Sequence, residues 1–110
     1  MSGLDEQKEK NVQLMQILQE NGVHVGEMRI IDFFYYTKDK GAAHSLQDDL
    51  ESRFGYQARV EKQGWFRPTY SICGTARVNA TVDELNAFCE KMWTCGLPHG
   101  IEFDGWGAEV

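Results

Sequence analysis

The sequence predicts an α+β fold, and three observations carry that expectation. Apolar residues recur at helical spacing in three segments and in strand-like runs in four. The segments follow one another as helix, strand, helix, strand, strand, helix, strand. With 110 residues the chain can build one core and bury roughly two-thirds of its unfolded surface, so a single domain over residues 1–110 is expected.

Residues 4–21 read as the first helix. Leu4, Asn11, Met15 and Leu18 share a stripe, Val12 and Leu14 lie alongside, and Glu6 stands four residues before Lys10. Asn21 and Gly22 end it. Residues 28–36, MRIIDFFYY, are β-branched and aromatic, apolar on both faces except at Arg29 and Asp32, which suits a central strand. Residues 39–54 form the second helix, with Ala42, Ala43, Leu46, Leu50 and Phe54 on one stripe, Asp49 placed for Arg53, and Gly55 at the stop.

The next strand, residues 56–62, alternates Tyr56, Ala58 and Val60 with Gln57, Arg59 and Glu61. Gln63, Gly64 and Pro68 mark a turn, and a strand over residues 69–78 sets Tyr70, Ile72, Ala76 and Val78 on one face. Thr81 with Glu84 is a capping box for a third helix carrying Leu85, Phe88, Cys89 and Met92. Gly96, Leu97 and Pro98 close it. A last strand spans residues 100–106.

This order is the split β-α-β-β-α-β arrangement called ferredoxin-like, with an additional N-terminal helix at about 4–21 and a core at about 28–107. Two helices then cover one face of a four-stranded antiparallel sheet. Alternation assigns the open face: Ile30, Asp32, Phe34 and Tyr36; Arg59 and Glu61; Ser71, Cys73 and Thr75; Glu102, Asp104 and Trp106. A face mixing aromatics with charge suits protein binding, and the N-terminal helix or a second copy of the chain, as a homodimer, could also cover it.

Composition narrows the function classes. Apolar residues make up 42% and charged residues 25%, ordinary globular values, and no run of about 18 apolar residues could cross a bilayer. The N-terminus, MSGLDEQKEK, is too charged for a signal peptide, so a cytoplasmic protein without membrane association is expected. A net charge of −6 repels phosphate backbones and argues against direct nucleic-acid binding. Acidity concentrates in residues 78–110, where Asp83, Glu84, Glu90, Glu102, Asp104 and Glu109 face only Lys91. Cys73, Cys89 and Cys95 have no disulfide-scaffold spacing and are expected to be reduced thiols.

No catalytic set, metal site or cofactor motif emerges. Phosphate-loop and dinucleotide signatures are missing, and His24, His44 and His99 lie far apart. Cys89, Cys95 and His99 have poor chelate geometry, because residues six apart on a helix diverge by about 120°. His44 and Ser45 are adjacent on a helix and cannot act as a nucleophile pair. RNA-recognition modules share the topology, and Phe34 and Tyr36 could stack bases. The strand TYSICGTARV nevertheless lacks their basic-glycine-aromatic pattern. One enzymatic alternative remains: a small ligand-binding or acid-base site using Asp32, Glu102 and Asp104.

The least ordinary segment is Glu102-Phe103-Asp104-Gly105-Trp106-Gly107. Two glycines around a tryptophan imply backbone that needs positive φ or close approach, setting the ring as a core plug or as an interface anchor. Trp65, in the turn between strands, is a second anchor candidate. The residues expected to bind a protein partner are therefore Glu102, Asp104, Gly105, Trp106, Gly107, Phe34, Tyr36 and Trp65.

The closing FDGWG, the passage LESRFGYQARV and the helical NATVDELNAFCEKM together resemble the RraB family, bacterial regulators of ribonuclease E activity. The likeness runs over most of residues 10–107, and Asp104, Gly105, Trp106 and Gly107 match its distinctive element. The resemblance implies a ferredoxin-like fold with an N-terminal helix. It also implies a non-catalytic protein that binds this endoribonuclease, inhibits or modulates it and so affects RNA turnover, without a cofactor. The implied partner region is the enzyme's basic, disordered scaffold.

Overall fold

A computed structural model describes residues 3–107. The elements are α1 (Gly3–Glu20), β1 (Met28–Thr37), α2 (Lys40–Phe54), β2 (Ala58–Gln63), β3 (Thr69–Asn79), α3 (Val82–Gly96), a 3-10 turn (Leu97–His99) and β4 (Phe103–Gly107). The four strands pair antiparallel in the order β2-β3-β1-β4, the ferredoxin-like arrangement the sequence predicts.

Local hydrogen bonding explains where the boundaries shift. Asp39 caps α2 by accepting from the Ala42 N–H, and at the other end the Gly55 N–H donates to Glu51 O while the Tyr56 N–H donates to Leu50 O. Tyr56 is thus committed to closing the helix, and β2 begins at Ala58 rather than Tyr56. The Tyr56 ring packs 5.6–6.3 Å from the rings of Phe54, Phe33 and Phe88. Its hydroxyl accepts from Lys91 Nζ at 2.6 Å, and the ammonium stands 4.9 Å from the Phe54 and Tyr56 ring centres.

Thr81 Oγ1 accepts from the Glu84 N–H at 3.1 Å, so the expected cap opens α3. Beyond α3, the Gly100 and Ile101 N–H groups turn back to Leu97 O and Gly96 O. Those bonds keep residues 100–101 out of the sheet, and β4 starts at Phe103. Asp49 pairs with His99 across the molecule rather than with Arg53 along its own helix.

Alternation along β1 divides the molecule. Ile31, Phe33 and Tyr35 are buried under the helices with Ile72, Leu46, Leu50, Leu85, Phe88 and Met92. Tyr35 is buried to its hydroxyl, which donates to Met92 O at 2.6 Å. Ile30, Asp32, Phe34 and Tyr36 point the other way, as alternation requires. The N-terminal helix does not cover that open face; α1 packs against α3 through Met15 and Leu18 and leaves Ile30 61% exposed.

The core is tight where β3 passes under the start of β2. A Cβ on Gly74 would stand 2.5 Å from both Gln57 O and the Phe33 ring, so Gly74→Ala should destabilise the fold by about 1–3 kcal/mol in urea titrations. Burial pushes the Tyr35 phenol and the Cys89 and Cys95 thiols up from their ordinary values. With folded values above unfolded ones, their contribution is complete below the ordinary thiol and phenol range of about 8.5–10 and is lost as pH rises through it. The urea midpoint should therefore decline above about pH 9. In native protein at neutral pH, a thiol reagent should modify half-exposed Cys73 well before buried Cys89 and Cys95.

Candidate functional site

The segment singled out in the sequence forms β4, and its register is irregular. Gly107, Trp106 and Gly105 face Asp32, Phe33 and Phe34 in turn, but Tyr35 faces Phe103. Asp104 is the extra residue of a β-bulge, and Gly105 beside it takes a positive φ of +131 that suits glycine. Strict alternation places Trp106 on the open face beside Asp104. The bulge shifts the phase by one residue, and this corrects that expectation: Trp106 lies opposite the core residue Phe33 and packs on the helix side. Asp104 stays exposed to solvent.

A buried asparagine receives the indole. Asn11, 1% exposed in the middle of α1, accepts from Trp106 Nε1 at 2.7 Å through its Oδ1. Its Nδ2 donates to Asn86 Oδ1 at 2.9 Å and lies 3.5 Å from Cys89 Sγ, both on α3. One side chain therefore ties α1, α3 and β4 together, with its amide satisfied on both ends. Two further contacts fasten the same helix: Gln7 Nε2 donates to Phe103 O, and Lys8 pairs with Glu90.

Between α1 and β4 lies an open cleft of about 240 Å³, lined by Gln7, Lys10, Asn11, Leu14, Phe34, Asp104, Gly105 and Trp106. Gln7 is held through its Nε2, which leaves Oε1 buried with no hydrogen-bond partner among the described residues. An acceptor in that position costs about 1–3 kcal/mol until a donor meets it. The cleft is lined by two aromatic residues and one exposed carboxylate, with the unmet Gln7 oxygen buried in its wall and the Lys10 ammonium as its single cationic side chain.

Four of the residues expected from the sequence, Phe34, Asp104, Gly105 and Trp106, meet in this cleft. Gly107 lies 4.0 Å from the Phe34 ring, measured from the position of a would-be Cβ, and Glu102 is exposed just before β4. Tyr36 is 44% exposed further along the open face. Trp65 is not part of this group: it stands 87% exposed with Phe66 at the tip of the β2–β3 hairpin, with β3 and β1 between it and β4. The wall supplied by α1 escapes sequence reasoning. Its one signal is Asn11, a polar residue in the stripe of Leu4, Met15 and Leu18.

Asp32, Glu102 and Asp104, the carboxylates an acid-base site would use, are all exposed, and the cleft takes in only Asp104. The described residues contain no cluster of three His, Cys, Asp or Glu side chains placed to hold a metal ion, and no described helix is long and apolar enough to cross a membrane. The arrangement offers surface, charge and a side-chain-sized cleft.

A family model described as regulator of ribonuclease activity B matches residues 8–108, a span that includes every wall of the cleft except Gln7. No curated protein matches the chain significantly. Members of the matched family regulate ribonuclease E without catalysing a reaction themselves, with that enzyme as their protein partner. The chain belongs to the RraB family, the regulators of ribonuclease E activity.

Proposed function

We propose that this protein acts in the cytoplasm as one domain that binds the basic, unstructured scaffold region of ribonuclease E and inhibits the enzyme. Docking takes place at the β4 end of the sheet, with Glu102, Asp104, Gly105, Trp106 and Gly107 as one part of the contact and Phe34 and Tyr36 of the open face as the other. The observation that carries this reading is the adjacency of exposed apolar surface and exposed carboxylates. Ile30 and Tyr36 are 61% and 44% exposed on a face that nothing in the described chain covers, and Asp32, Glu102 and Asp104 are exposed around β4. Apolar contact supplies affinity at such a surface, and the negative field selects a basic partner over RNA. Trp65 and Phe66, 87% and 84% exposed, form a separate second contact for a long, extended partner.

Two measurements test the reading. Binding of a ribonuclease E scaffold fragment, followed by calorimetry, should be tightest at low salt and weaken as ionic strength rises, since exposed charges are screened beyond about 8 Å near physiological salt. No binding at low salt would falsify it; a dimer in solution with Phe34 and Tyr36 protected would assign the open face to a second copy instead. Replacement of Trp106 separates anchor from plug. Trp106→Phe, which keeps a ring but leaves the buried Asn11 Oδ1 without its donor, should cost about 1–3 kcal/mol of stability with little change in affinity. Trp106→Ala, assayed at a temperature where it remains folded, should bind more than about tenfold more weakly. Unchanged affinity for folded Trp106→Ala would remove Trp106 from the interface.

A further inference from the structure

We infer that the cleft between α1 and β4 is an arginine pocket: it receives a single guanidinium side chain from the basic partner segment. The inference rests on the docking reading above and specifies its chemistry. The cleft, about 240 Å³ and open to solvent, has the scale of a side chain rather than of a folded element.

The polar atoms of its walls can be accounted for one by one. Trp106 Nε1 is committed to Asn11 Oδ1, and Asn11 Nδ2 to Asn86. Gln7 Nε2 is committed to Phe103 O, which leaves Gln7 Oε1 as an acceptor without a donor. Asp104, lifted to the rim by the bulge, adds a carboxylate facing solvent. What remains to be satisfied is therefore acceptors, in a cleft that Phe34 and Trp106 also line.

A guanidinium answers each part of that set. Its planar face stacks on aromatic rings, its several N–H groups can serve a carboxylate and an amide oxygen at once, and it is more weakly hydrated than an ammonium on entering a partly buried site. Lysine, a compact and strongly hydrated point charge, matches the carboxylate but neither the ring stacking nor the second acceptor. Lys10, exposed at the mouth, is the one like charge; its long stem allows the ammonium to move into solvent.

The test uses the intact protein and two scaffold fragments of ribonuclease E, one with its natural sequence and one with every arginine replaced by lysine. The two carry equal charge, so general electrostatic docking treats them alike. The natural fragment should shift the Trp106 indole N–H resonance and bind about tenfold tighter than the lysine fragment. Asp104→Asn and Phe34→Ala should each shrink that preference, and native-like amide spectra would show both variants folded. Equal affinity for the two fragments with an unmoved Trp106 resonance overturns the arginine pocket and leaves the docking reading standing. Binding of neither fragment overturns both.

Discussion

The hydrogen bond from the Trp106 indole to Asn11 is the contact on which the β4 end of this protein depends. Outside the β4 end, the sheet and its two covering helices form a self-sufficient packing of Phe33, Tyr35, Leu50, Phe88 and their neighbours. The first helix has a narrower hold. Only Asn11, Met15 and Leu18 of its eighteen residues are buried, so its position rests on a small apolar contact and one polar junction. A buried amide satisfied at both ends contributes little net free energy but strongly penalises any docking that leaves it unpaired. Asn11 therefore fixes where the helix sits more than how strongly it sits.

That division clarifies the family assignment. Regulation by binding requires no preorganised reacting groups, and the chain devotes its unusual residues to shape instead. The glycine of the bulge, the indole turned inward and the carboxylate turned outward build one wall of the cleft, and α1 builds the other. The uncovered sheet face continues the same surface through Phe34 and Tyr36. A chain assembled this way presents an acidic, partly aromatic margin next to a packed core, so that surface is ordered before anything meets it.

The fold was readable because each of its elements carries a local signal. Period-2 burial in β1, the cap at Thr81 and the stop at Gly55 are consequences of neighbouring residues alone, and all appear where the sequence places them. The errors arise where distant groups decide. Tyr56 reads as the start of a strand, yet its N–H closes α2, and residues 100–101 read as strand but close the 3-10 turn. At the site, the sequence identifies the β4 wall from its composition and misses the α1 wall, because Gln7, Lys10 and Leu14 are ordinary helix residues until Trp106 arrives from 95 positions away to meet Asn11. The orientation of Trp106 itself depends on the pairing register, which no residue type reveals unaided.

The bulge at Asp104 also has a consequence for how this segment can vary. It acts as a phase slip, placing two residues, the exposed Asp104 and the half-buried Gly105, between two aromatic rings that both face the helices. An unbulged strand of the same residues would send the indole to the solvent side and leave Asn11 without its donor. The Asp104 side chain at the slip projects outward, so the fold constrains it little, whereas the positive φ at Gly105 holds that position to glycine. Position 104 can accordingly differ in chemistry while the indole and the helix behind it stay in register.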